Sequence, residues 1–170
     1  AMLRGSGDDQ GWRVMCESTD FVEWTPLRRL LYPLHDEEGL YNNTGFVYGA
    51  QYLGILTHFD RRAETQTQSL QLLTSRDGDI WSRAPAALPL VGLGDVGGWD
   101  RAQIMRTGAP PVPVGDELHI YYRGTSRRHN KIVGEFEPRI DADQDRSSQS
   151  IGLAKLRLDG FASIDANYSG

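Results

Sequence analysis

Ser75-Arg-Asp77-Gly-Asp-Ile-Trp81 and Ser18-Thr-Asp20-Phe-Val-Glu-Trp24 share the pattern Ser-x-Asp-x-x-x-Trp, 57 residues apart, and the reading of this repeat decides the fold. An Asp at a strand-to-strand turn accepts the backbone N–H groups of the residues that follow it. A Gly after it takes φ > 0, and the Trp is placed to pack back under the turn. Each copy is therefore expected to close a hairpin. A looser third copy, Leu158-Asp159-Gly160-Phe161, follows a strand-like stretch over 150–156. A second repeat, 66 residues apart, joins Tyr48-Gly-Ala-Gln-Tyr-Leu-Gly-Ile-Leu56 to Val114-Gly-Asp-Glu-Leu-His-Ile-Tyr-Tyr122, each reading as strand, tight turn, strand. Repeats of this length point to one supersecondary unit arrayed in a stack or a ring.

Working outward, alternation of period two is clearest over 117–123, where Leu118, Ile120 and Tyr122 face one way and His119, Tyr121 and Arg123 the other. Segments 14–17, 45–48, 51–59 and 69–75 read the same way. The best helical candidate, 24–32, is short and carries Pro26, so the protein is expected to be all-β. The two repeats combine into units at 39–98 and 99–166, preceded by a partial unit at 12–38 holding only an outer hairpin. The expectation is a β-propeller-like domain over 12–170 with about two complete four-stranded blades plus a half blade. Propellers usually have at least about four blades, so this set does not close a ring. Residues 1–11 are small and polar, and Ala1-Met2 resembles what tag cleavage leaves, so this stretch is expected to be a flexible leader.

The net charge of −5 is spread along the sequence, which lacks the basic footprint of a nucleic-acid binder. The single Cys16 rules out an internal disulfide framework and reads as a small buried hydrophobe. No apolar run reaches the roughly 18 residues of a membrane span, and the N-terminus has no apolar signal core. A soluble protein with no membrane partner is expected, cytoplasmic by default.

Asp20-Phe-Val-Glu-Trp-Thr25, Tyr41-Asn-Asn-Thr-Gly-Phe-Val-Tyr48, Thr74-Ser-Arg-Asp-Gly78 with Trp81, and Ile151-Gly-Leu-Ala-Lys-Leu-Arg-Leu-Asp-Gly-Phe-Ala-Ser163 resemble the later blades of five-bladed propeller proteins similar to glycoside hydrolase families 32 and 43. The turn motif also resembles the Asp boxes of six-bladed sialidases. The resemblance runs over about 13–166. It implies a central pocket where acidic residues hydrolyse glycosidic bonds: a nucleophile Asp from the first blade, a stabilising Asp from the second and an acid Glu from about the third. Matched to that pattern, the sequence starts inside the third blade, so neither Asp has a counterpart position. Tyr41-Asn-Asn43 likewise offers no acid where an inner strand is expected to begin.

Glycoside hydrolysis needs two carboxyl groups about 5 to 10 Å apart, one with a raised pKa. The candidates here are Asp60, after the 51–59 strand, and Asp100, in Trp99-Asp-Arg-Ala-Gln-Ile-Met-Arg106. Trp99 can stack on a pyranose face, while Asp100, Arg101 and Arg106 can bond its hydroxyls. The plain alternative is a turn-capping Asp paired with Arg101 or Arg106. Tyr41, Asn42 and Asn43 are expected to point at the same channel, or simply to satisfy turn backbone. Asn42 and Asn167 also begin glycosylation sequons. Gly92-Leu-Gly-Asp-Val-Gly97 fits G-x-G-x-x-G only as a string, because no helix follows it to hold a pyrophosphate. Asp141-Ala-Asp-Gln-Asp145 starts like a calcium loop but has Arg146 and Gly152 at the positions that need Gly and Glu. The basic run Arg123, Arg127, Arg128, His129 and Lys131 reads as a hydrated loop or a receiver for an acidic group. His35, His58, His119 and His129 lack metal-ligand spacing, and no nucleophile elbow is present. No metal and no cofactor are expected.

Two functional readings stand. One is a partial glycoside-hydrolase-like propeller, carbohydrate-active or carbohydrate-binding and catalytically incomplete on its own. The other is a non-catalytic β module for protein interaction or self-assembly. An open strand edge near 14–17 would invite a homo-oligomer.

Overall fold

The computed structural model describes residues 12–62, 65–84, 88–106, 108–129 and 149–161 and the backbone of 2–4, and every regular element among them is a strand. Strands β1 (Met2–Arg4), β2 (Arg13–Met15) and β3 (Arg28–Leu31) form a small antiparallel sheet in that order. β4 (Glu38–Tyr48), β5 (Gln51–Asp60), β6 (Thr67–Ser75) and β7 (Ser82–Arg83) then follow as an antiparallel meander. In the last unit, β8 (Gln103–Arg106) and β9 (Val112–Val114) pair with opposite ends of β10 (Glu117–Thr125), whose other edge takes β11 (Gln149–Arg157). A single parallel pair, Gln68 with Gln103, links the two meanders into one sheet.

The reason for this layering is visible in β5 and β6, whose centres, Leu53-Gly-Ile-Leu-Thr57 and Leu70-Gln-Leu-Leu73, are buried on both faces. Leu56, Leu73 and Trp81 meet Met15, Leu30, Leu31 and Leu40 in one core. On the opposite face Ile55 and Leu70 meet Ile104, Ile120 and Tyr122 in a second. Strands covered on both sides lose the alternation that a half-exposed strand keeps, as β10 does.

The repeated turns form as their residues dictate. Asp77 Oδ1 accepts the N–H groups of Asp79 and Ile80 at 2.8 Å each, and Ser75 Oγ accepts that of Gly78 at 2.9 Å. Asp20 Oδ1 holds Val22 and Glu23 at 2.9 Å each, and Ser18 Oγ holds Phe21 at 2.7 Å. They join β6 to β7 and β2 to β3. In the third copy, after β11, the Asp159 carboxylate instead accepts the Tyr48 hydroxyl at 2.9 Å.

Three expectations change. Trp81 packs under its turn, 7% exposed, with Nε1 donating to the Gly78 carbonyl at 2.8 Å, whereas Trp24 stays 41% exposed, edge-on to Phe21. The reason is that the central meander offers Trp81 a covered core position, while the first turn projects from a three-stranded sheet. Segment 24–32 contains β3 and no helix, in keeping with the all-β expectation. The edge expected near 14–17 is not open, because β2 pairs with β1 on one side and β3 on the other. That pairing also places Met2–Arg4, read as leader, in the sheet. Cys16 is buried, as expected of a small hydrophobe. Trp81→Ala should lower unfolding free energy by about 3–5 kcal/mol, and Trp24→Ala should stay within roughly 0.5 kcal/mol; urea denaturation of both variants measures the contrast.

Candidate functional site

Trp99 and Asp100 end the loop that leads from β7 to β8, and that loop is tied to β6 by Leu90 N–H donating to the Leu70 carbonyl at 2.7 Å. Both residues lie over Gly124 of β10, where a Cβ would come within 2.6 Å of the Trp99 ring and of Asp100 Cβ. Only a strand glycine permits that approach. Gly152 of β11 makes the same room for the Tyr122 ring. The indole and phenol rings therefore lie parallel, centroids 6.0 Å apart and 4° between planes. The Tyr122 hydroxyl donates to Asp100 Oδ2 at 2.7 Å, so a phenol holds this carboxylate in place. Burial, reinforced by that carboxylate, pushes the Tyr122 phenol up to about 12, so it remains a hydrogen-bond donor at neutral pH. Trp99 remains 40% exposed, which leaves an oriented aromatic surface beside a carboxylate acceptor.

Arg106 pairs in register with Tyr122, so the two side chains share a face, and its backbone N–H donates to Thr57 Oγ1 at 3.3 Å. Burial pushes its guanidinium below the usual arginine range. Arg101 lies half-buried in the approach to β8.

Asp60 is the last residue of β5, and its carboxylate is gripped by Arg62, whose Nε donates to Oδ1 at 2.9 Å and to Oδ2 at 3.1 Å. Those bonds from Arg62 outweigh partial burial and hold it at about 2. A carboxyl with that pKa carries no proton near neutrality, which is wrong for a general acid.

Tyr41, Asn42 and Asn43 do not open an inner strand, because β4 starts at Glu38. They fall where its register with β5 shifts, between Leu40 and Asn43. A bulge re-aims side chains, and the three diverge. The Tyr41 hydroxyl bonds His129 Nε2 while its ring meets Phe59 edge-on. Asn42 is exposed, and Asn43 is buried, accepting from Arg13 Nε at 3.2 Å.

Glu38, which no sequence motif singles out, is 2% exposed. Arg83 donates to both its oxygens, the second at 3.0 Å, His58 Nε2 lies 3.0 Å from Oε1, and the Leu34 N–H also points at the carboxylate. Burial alone would raise its pKa; the bonds from His58, Arg83 and Leu34 overcome this and lower it from 4.5 to about 2. No signal in the acidic run 36–38 marks Glu38, since Arg83 is 45 residues away in sequence.

Among the described residues no group of three or more His, Cys, Asp or Glu could hold a metal ion, and no helix is long and apolar enough to cross a membrane. Among the described residues no helix follows Gly97. Residues 141–145, Lys131 and Asn167 lie outside the described residues.

Because the folded pKa of Glu38 is depressed, its stabilisation is complete above the unfolded value near 4.5 and disappears as pH falls towards 2. Between about pH 5 and pH 2 the wild type should lose on the order of 3 kcal/mol more than Glu38→Gln does, as denaturant titrations of both proteins at several pH values would measure.

No family model matches the sequence, and none of the curated proteins does. Solved structures do. An N-acetylgalactosamine deacetylase from F. plautii, in complex with blood group B trisaccharide, aligns with TM-score 0.65 at 21% identity over 90% of this chain and 43% of its own. A complex of BT0996 with RGII aligns with TM-score 0.52 at 15% identity, over 73% of this chain and 34% of that one. A glycoside hydrolase gives 0.51 at 15%, over 75% and 35%. These are likenesses of fold, to carbohydrate-related proteins of which this chain spans less than half the length.

Proposed function

We propose that the protein is a carbohydrate-recognising portion of a β-propeller, with blades at 39–98 and 99–166 and a partial blade at 12–38, and with its sugar site at Trp99. The observation that carries this reading is the half-exposed Trp99 ring, held parallel to Tyr122 beside Asp100. An oriented indole stacks on the C–H face of a pyranose at little entropic loss, and the neighbouring carboxylate accepts from ring hydroxyls. The turn motifs support the blade reading by linking the last two strands in each of two successive units. The fold likeness to carbohydrate-active proteins agrees with it. Recognition without hydrolysis is favoured, because Asp60 is committed to Arg62 and Asp100 to Tyr122. Calorimetric titration with blood group B trisaccharide and a panel of neutral oligosaccharides should detect binding by the wild type. Trp99→Ala should weaken it about tenfold or more, the scale of a lost aromatic contact. A wild type that binds no member of the panel ends this reading.

A second reading, self-association, is favoured by one observation. Tyr121 pairs with Leu153, and Ile151 lies two residues along β11, so these exposed apolar side chains share the outer face of the last meander. Light scattering of the wild type should give a dimer mass that falls to the monomer in the double variant Ile151→Lys, Leu153→Lys; a monomer at high concentration removes this reading.

A further inference from the structure

Gln68 is 1% exposed, yet neither its side-chain oxygen nor its side-chain nitrogen has a hydrogen-bond partner among the described residues. A buried amide left in this state costs free energy that an apolar side chain of similar volume would not. An amide in such a position is unexplained by packing.

Its location supplies a role. Gln68 pairs across the ladder with Phe59 and stands two residues before Leu70, so its side chain belongs to the face that meets Ile104 and Tyr122. Its backbone N–H donates to the Ala102 carbonyl at 3.0 Å, and its Cα partner across the junction is Gln103. Ala102 is two residues from Asp100. The unpartnered amide is thus in the seam between the two meanders, next to the segment that carries Trp99 and Asp100. Two residues away, Gln66 Oε1 is likewise buried without a partner among the described residues.

We infer that Gln68 is a specificity-determining residue of the Trp99 site, its enclosed carboxamide reading two adjacent hydroxyls of the bound sugar through one ordered water. This rests on the carbohydrate reading above. A carboxamide offers an acceptor and two donors on one rigid plane, so it fixes the orientation of that water and with it which hydroxyl of a diol donates and which accepts. A site with buried polar groups rejects analogues that leave them unpaired, far more strongly than an apolar pocket does.

The test uses the full protein, blood group B trisaccharide, the same oligosaccharide panel and ring-deoxygenated analogues of whichever member binds. Gln68→Leu should raise the melting temperature, because the orphaned amide is gone, and weaken binding about tenfold to a hundredfold. Deoxygenation should weaken the wild type by a similar factor and Gln68→Leu hardly at all. Should Gln68→Leu fail to fold, Gln68→Met keeps the length and is read in the same way. Unchanged affinity in the Gln68 variant, with binding lost in Trp99→Ala, overturns this inference alone. Failure of the wild type to bind any panel member overturns it together with the carbohydrate reading.

Discussion

The two-sided burial of β5 and β6 is the constraint from which the other elements take their places. A strand pair with apolar side chains on both faces cannot sit at the surface of a two-layer domain, so it needs a cover on each side. The small sheet around β2 and β3 supplies one through Met15, Leu30 and Leu31, and the last meander supplies the other through Ile104, Ile120 and Tyr122. Two buried polar side chains follow from this sandwiching. Glu38 is driven into the first seam and is tolerated only because Arg83 and His58 satisfy it. Gln68 is driven into the second, where the described residues do not satisfy it.

The second seam also fixes the candidate site. Trp99 and Asp100 come from a loop, usually the more adaptable kind of scaffold, but here the loop is laid on strand glycines and clamped by a phenol. Gly124 and Gly152 let two rings lie against sheet backbone where any other residue would hold them off. The result is a side-chain geometry as fixed as one built on a strand, at a position that still reaches solvent. Rigid presentation of an aromatic ring lowers the ordering cost of binding, and this links the packing to the proposed chemistry.

The candidate site was only partly legible in the sequence. Trp99, Asp100 and Arg106 stood out because aromatic, acidic and basic residues lay within eight positions of one another, leading into a strand. Tyr122, which holds Asp100 and lies parallel to Trp99, read only as one more inward position of an alternating strand. The three polar residues 41–43 looked like one group because they are consecutive; the register shift in β4 sends them in three directions. Asp60 looked like an available carboxylate, since the two-residue spacing to Arg62 does not by itself announce a bidentate grip.

By itself the sequence determined the all-β class, the strand positions in the repeated units and the hydrogen-bonded Ser-x-Asp turns. All three depend on interactions between residues close in sequence: alternation, two-residue turns, and an Asp bonding the next few N–H groups. Tertiary structure alone decided that Trp81 is buried while Trp24 is not, that the segment before β2 closes its edge, that Glu38 meets Arg83, and that Gln68 is enclosed beside the Trp99 loop. Each of these is a contact between elements distant in sequence, set by which faces must be covered, and side-chain pattern along one strand carries no record of what lies opposite it.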